Sequence, residues 1–226
     1  MKELNSIKYF NYKLKIQKEL KKRILQVFNK YNHLETLELK NNYLNKYHEC
    51  EKMINLINYS SENIDWKLIN ITELNQGEFF NNSVKQNFDY IDILDESPNF
   101  NIGVFLVPKG NTLPLHNHPN MFVISKVIWG SVLINCFDRT ANNDKNLEEY
   151  DVFQAEEKEK FNLKIDDIAI LTPNKNNIHE VIAHEDSAIF DIILPAYDDE
   201  ENRSCDYYEK LNVANSDLND IFFRKI

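Results

Sequence analysis

Glycine is nearly absent from this chain, with 4 in 226 residues, beside 6 prolines and 3 cysteines. Scarcity makes the survivors informative, and Gly103, Gly110 and Gly130 crowd into one stretch. Cys50, Cys136 and Cys205 lie far apart, odd in number and without a CxxC pair. That pattern excludes a disulfide framework and fits reduced thiols in the cytoplasm, with the nucleus also open as a location. No apolar run approaches the ~20 residues a membrane helix needs, so no membrane partner is expected. The start, Met1-Lys2-Glu3-Leu4-Asn5, has no apolar core and reads as no secretory signal. Clustered basic charge is missing too. A net charge of -10 and a pI near 5.1 argue against nucleic acid, whose phosphates require grouped Lys and Arg.

What is present is enough to build a core: 42% of residues are hydrophobic and 12% aromatic. The many asparagines read as a nucleotide-composition bias rather than as chemistry. From about Ile7 to Phe28, and again from about Leu37 to Ile57, apolar residues recur at three- and four-residue steps, predicting two amphipathic helices. His33 and His48 fall in this region and read as surface or interface residues. The division expected is a helical segment over 1–64, packed on a β-domain over 65–226.

From Asp65 onward the periodicity shifts to short strands with polar breaks. Phe88–Leu94, Asn101–Val107, Met121–Val127 and Ser131–Phe137 form one series. Leu147–Gln154, Phe161–Ile165, Ile168–Leu171, Ile178–Ala183 and Ala188–Leu194 form a second. Many short strands without intervening helices predict a sandwich or barrel. The stretch from Asp138 to Lys160, rich in Asn, Asp, Glu and Lys, is expected to be a solvated loop, although the first strand of the second series overlaps it.

The chemistry concentrates in Gly110-Asn111-Thr112-Leu113-Pro114-Leu115-His116-Asn117-His118-Pro119. On extended backbone, alternate residues share a face, so His116 and His118 can offer one metal ion two imidazole nitrogens. Flanking prolines resist helix. A third nitrogen is expected from His179, which enters an apolar strand after the turn Pro173-Asn174-Lys175-Asn176-Asn177. His184, its rival, lies beside Glu185-Asp186, where a turn is expected. Gly110, His116, His118, Val123 and Gly130 have the spacing of the first cupin motif, except that Val123 (or Phe122) stands where that motif has a glutamate ligand. Three neutral imidazoles leave a divalent ion its full charge, which suits ferrous iron taking an anionic thiolate beside dioxygen, or zinc activating water.

Leu113 to Met121, Ser125 to Val132, Gly103-Val104-Phe105-Leu106, Phe190 to Tyr197 and Arg203 to Glu209 together resemble the cysteamine (2-aminoethanethiol) dioxygenases and plant cysteine oxidases. The resemblance covers roughly Phe88 to Leu211. It implies a mainly β cupin fold, a double-stranded β-helix or jelly-roll-like barrel, with an N-terminal helical segment. It further implies Fe2+ at His116, His118 and His179, and oxidation of a thiol to a sulfinate by dioxygen. The implied substrates are a small aminothiol or a peptide or protein with an N-terminal cysteine, whose oxidation can mark it for degradation. A monomer is expected. By the same resemblance Asp191 and Tyr197 match polar residues near the substrate, and Cys205 and Tyr207 match a pair that forms a thioether crosslink in the animal enzymes. Whether they do so here is open. Asn117 stands where the family commonly has Asp; its side chain is expected to point away from the metal, with small effect. The competing reading is a metal-free or zinc-loaded cupin that binds a ligand or partner without catalysis. A zinc-dependent isomerase or hydrolase is a third.

Overall fold

The computed structural model describes residues 88–140, 151–211 and 221–226, together with Asn58. The two helices expected over 7–28 and 37–57, with His33, His48 and Cys50, lie outside the described residues. The chain divides into two compact units, Met1–Glu73 and Leu74–Ile226, and every strand named below belongs to the second.

Among the described residues there are eleven strands: β1 Asp89–Glu96, β2 Phe100–Val107, β3 Thr112–His116, β4 Phe122–Trp129, β5 Ser131–Arg139, β6 Val152–Lys164, β7 Ile168–Leu171, β8 Ile178–Ala183, β9 Ser187–Leu194, β10 Tyr208–Leu211 and β11 Ile221–Lys225. They form two antiparallel sheets, ordered β1-β2-β9-β4-β7 and β10-β11-β6-β5-β8-β3. Strands β2 to β9 wind between the sheets so that β2-β9-β4-β7 faces β3-β8-β5-β6, the connectivity of a double-stranded β-helix. The expected cupin architecture is present.

Alternation decides what lies between the sheets. Val123 and Val127 of β4, Ile189 and Ile193 of β9, Val132, Ile134 and Cys136 of β5, and Val181 and Ala183 of β8 pack in one buried cluster. A second cluster, Leu115, Phe137, Phe153, Ala155, Ile178 and Phe223, joins strands of the second sheet to the β10–β11 hairpin. Gly130 closes the turn between β4 and β5 with φ +72, where a Cβ would also strike the Asp186 carbonyl. This is why the turn takes glycine.

The described parts of the charged stretch, 138–140 and 151–160, depart from expectation; residues 141–150 lie outside the described residues. Strand β5 continues to Arg139, and β6 is one strand from Val152 to Lys164 in place of two expected strands ending at Gln154 and beginning at Phe161. Within it Glu156, Glu157 and Glu159 pair with Asp138, Phe137 and Cys136 of β5. Their charges are satisfied laterally, Lys158 by Glu156, Lys160 by Glu157 and Lys175 by Glu159. An alternating ladder of opposite charges on a solvent-facing strand imitates a loop in composition. Strands β10 and β11 had no counterpart in the sequence pattern.

Candidate metal centre

Strand β3 carries Pro114 in its middle, and a residue with no N–H cannot complete a ladder. The pairing with β8 slips there: Leu113 faces Val181 but His116 faces His179, leaving Pro114 and Leu115 against Glu180, two residues against one. Without this bulge Leu115 would point between the sheets. With it, Leu115 turns to the second cluster, and His116 and His118 turn inward. The proline therefore aims both histidines.

His116, His118 and His179 are all buried, and each offers a ring nitrogen lying within 4.8 Å of the others'. Ring centroids stand 4.9 Å apart for His116 and His118, 4.4 Å for His116 and His179 and 5.1 Å for His118 and His179. His184 is exposed in the turn between β8 and β9. Val123, at the place of the usual glutamate, is fully buried in the apolar cluster, so among the described residues the site is three imidazoles without a carboxylate.

Burial holds all three rings neutral. It lowers the His116 pKa to about 4, and pushes those of His118 and His179 well below the usual range, with neighbouring histidines adding to the effect. Neutral imidazoles with free lone pairs are the form that binds metal. His116 Nδ1 lies 2.7 Å from the Pro114 carbonyl, to which it donates, leaving Nε2 as the ligand atom. His118 Nδ1 lies 2.6 Å from the Tyr197 hydroxyl, which itself donates to the Asn117 carbonyl at 3.1 Å. With the phenolic hydrogen so committed, His118 Nδ1–H donates to Tyr197 and its Nε2 is also free. Among the described residues His179 Nδ1 has no well-aligned hydrogen bond, although the Asn177 backbone lies near enough to oppose the fall in its pKa. Three converging, desolvated, neutral nitrogen donors fit a divalent transition metal.

Of the other expected site residues, Tyr197 bonds to His118 and Tyr207 lies beside His116. Asp191 on β9 pairs across to Gly103 of β2 and Ser125 of β4, pointing between the sheets. It is buried, with one carboxylate oxygen that has no partner among the described residues. Burial raises its pKa to about 7, partly opposed by a hydrogen bond from Ser125. Cys205 lies within hydrogen-bonding reach of the Tyr197 and Tyr207 hydroxyls. Tyr207 sits across a backbone bridge from His116, ring centroids 6.1 Å apart. Asn117 does point away from the histidines.

Tyr90 was not singled out in the sequence. It lies over Gly103, occupying the space a Cβ would need, and its hydroxyl bonds to Asn101. Burial, and next the charge of Asp191, raise its pKa. The signal available was Gly103 itself: a glycine inside a strand marks a close approach. A groove of about 790 Å³ lies behind the ligand strands, lined by Asn117, Asn177, Asp206, Tyr208, Phe153 and Ile178 among others and by none of the three histidines.

Fold and site together define a cupin-type protein with a three-histidine metal centre. A family model described as PCO_ADO matches residues 54–222, and the chain belongs to that family. Among curated proteins it is similar to 2-aminoethanethiol dioxygenase of Homo sapiens, 33% identical over 135 residues that make up 51% of this chain and 50% of that protein. It is also similar to plant cysteine oxidase 2 of Arabidopsis thaliana, 29% identical over 109 residues covering 48% of this chain and 40% of that one. The chain thus spans about half the length of the curated relatives it matches. Among solved structures, KdgF from Halomonas sp. is 18% identical with a TM-score of 0.36, covering 52% of this chain and 89% of that one. The Schizosaccharomyces pombe Cnp3 cupin domain is 19% identical with a TM-score of 0.36, covering 53% and 73%.

Proposed function

We propose that the protein is a ferrous thiol dioxygenase that converts the thiol of an N-terminal cysteine, or of cysteamine, to a sulfinate. The observation that carries the reading is the buried three-histidine cluster with no carboxylate donor among the described residues, in a chain of this family. In the overall reaction two S–O bonds form and the O–O bond breaks. Sulfur gives up four electrons and the oxygens take them, so no separate reductant, 2-oxoglutarate, nicotinamide or flavin is required. The thiol hydrogen leaves as a proton.

Ferrous iron at His116, His118 and His179 would supply redox capacity and soft open positions suited to a thiolate. The residues of the chain do the rest. Three neutral imidazoles leave the full double charge at the site to attract a substrate anion. Tyr197 fixes the tautomer and orientation of His118 through the 2.6 Å bond. Asp191 is the group to meet the substrate's ammonium, which both candidate substrates share; a cation beside it would hold ionised a carboxyl that burial otherwise raises to about 7. Cys205 and Tyr207 form part of the wall beside His116.

The test is dioxygen uptake by anaerobically prepared protein loaded with either ferrous iron or zinc, offered a Cys-initiated peptide or cysteamine. Uptake with iron and none with zinc supports the proposal. Absence of uptake from the fully iron-loaded protein with both substrates would leave a ligand-binding cupin in its place.

A further inference from the structure

The three ligands arrive from two strands, and the strands stop short of one of them. The last β3–β8 pair is His116 with His179. His118 lies beyond the end of β3, where the ladder offers its backbone nothing. Asn177, two residues before His179, fills that gap. Its Oδ1 accepts from the His118 N–H at 3.1 Å, and its Nδ2 donates to the His118 carbonyl at 2.6 Å and to the Thr172 carbonyl at 3.3 Å. One carboxamide thus reproduces both bonds of a strand pair, tying the second histidine to the approach of the third.

Asn117 does the same on the other flank. Its Oδ1 accepts from the Asp206 N–H at 2.9 Å, while Nδ2 donates to the Tyr208 hydroxyl at 2.7 Å and to Asp206 Oδ2 at 3.3 Å. Its backbone N–H donates to the Asp206 carbonyl at 3.1 Å, and its own carbonyl accepts from Tyr197, the partner of His118. The segment bearing Cys205 and Tyr207 is thereby fastened against the ligand strand. An aspartate at 117 would lose both donors and set a second carboxylate against Asp206.

We infer that Asn117 and Asn177 are positioning residues that hold the three imidazoles in register for a metal ion before it binds. Both residues line the groove that none of the three histidines lines, and their carboxamides bond to the chain itself, so they act on the ligand segment and are not themselves ligands. Without them the His118 backbone would keep the bond from Met121 N–H but lose its ties to the third ligand's strand, and the entropy of restoring that register on metal binding would be lost from the affinity. The inference rests on the metal-centre reading but on neither the metal's identity nor the oxidation.

The experiment titrates the metal-free full chain with Co(II) against a chromogenic chelator and records the visible Co(II) spectrum. Asn177→Ala should weaken binding by about 10- to 100-fold and alter the spectrum, with Asn117→Ala moving both in the same direction. Asn177→Asp keeps the acceptor for the His118 N–H but not the donor to its carbonyl, and should recover part of the loss. Asn135→Ala is the control: its Nδ2 bonds the Glu180 side chain at 2.9 Å, next to the ligand strands but not to a ligand backbone, and its Co(II) affinity should match native. Circular dichroism of each metal-free variant identifies any that fail to fold, in which case Asn177→Asp carries the comparison. Native-like affinity and spectrum in the Asn117 and Asn177 variants would overturn the inference, as would an equal loss in Asn135→Ala. A native protein that binds no Co(II) would sink the metal-centre reading itself.

Discussion

Replacing Asp191 by asparagine should make the protein more stable, and increasingly so as pH rises. The carboxyl is buried between the sheets, accepts one bond from Ser125, and keeps an oxygen with no partner among the described residues. Its folded pKa of about 7 lies above the ordinary value of 3.8. Between those values the folded chain holds a proton that the unfolded chain has released, so this group's contribution to stability falls as pH rises through the window and levels above it. Asparagine has no such dependence. Over pH 6 to 8.5, above the pI near 5.1 where solubility is poorest, the native loses about 1–1.5 kcal/mol relative to the variant, roughly tenfold in the unfolding constant. The assay is urea denaturation of metal-free native and Asp191→Asn protein at both pH values, taking the difference of differences so that other titrating groups cancel. Tyr90 and Tyr197, which feel the Asp191 charge, stay neutral across this range. If the two proteins keep a constant gap, Asp191 ionises as an ordinary surface carboxylate and the account of its environment is wrong.

Other consequences are as direct. His116→Ala, His118→Ala and His179→Ala should each lose most bound iron while His184→Ala retains it; iron content after desalting decides, and retention in His179→Ala alone would remove it from the site. Tyr197→Phe strips His118 Nδ1 of its partner and should weaken metal binding about 10- to 100-fold, read by chelator competition, whereas unchanged affinity would make the phenol a packing residue. With iron bound, Asp191→Asn should lower turnover by about 10- to 100-fold, the loss of a charge-assisted contact. N-acetylating the peptide should then hurt native enzyme far more than the variant. Gly130→Ala, at φ +72 and against the Asp186 carbonyl, should cost about 1–3 kcal/mol in denaturant titration with little effect on metal content.

Where strands obey simple alternation, the sequence was readable. Ile168–Leu171 and Ile178–Ala183 are apolar runs bounded by turn residues, and the structure places β7 and β8 on those same bounds. His116 and His118 were recognisable as a pair from one-residue spacing. Their aim was not, because it depends on the register slip at Pro114, and register belongs to the partner strand. Strand β6 hid behind its charges, since Glu156 to Lys160 become a strand only when β5 and the lysines are beside them. Strands β10 and β11 are short, and the pairing of β11 with β6 and of β10 with β11, rather than their composition, makes them strands. The asparagines carried no pattern either: Asn117 and Asn177 acquire meaning from partners 89 and 59 residues away. The link from Tyr197 to His118 spans 79 residues, and Tyr90 meets Gly103 only through the β1–β2 pairing.

The central claim is that dioxygen's two atoms end on the sulfur of a cysteine whose α-amine is free. It is tested most directly by incubating the ferrous protein with a Cys-initiated peptide under isotopically labelled dioxygen and weighing the peptide by mass spectrometry. The account predicts two labelled oxygens on the N-terminal cysteine, none from water, and no change in a peptide whose only cysteine is internal. Incorporation of a single labelled atom, of oxygen from water, or of oxygen into the internal cysteine at an equal rate would contradict it.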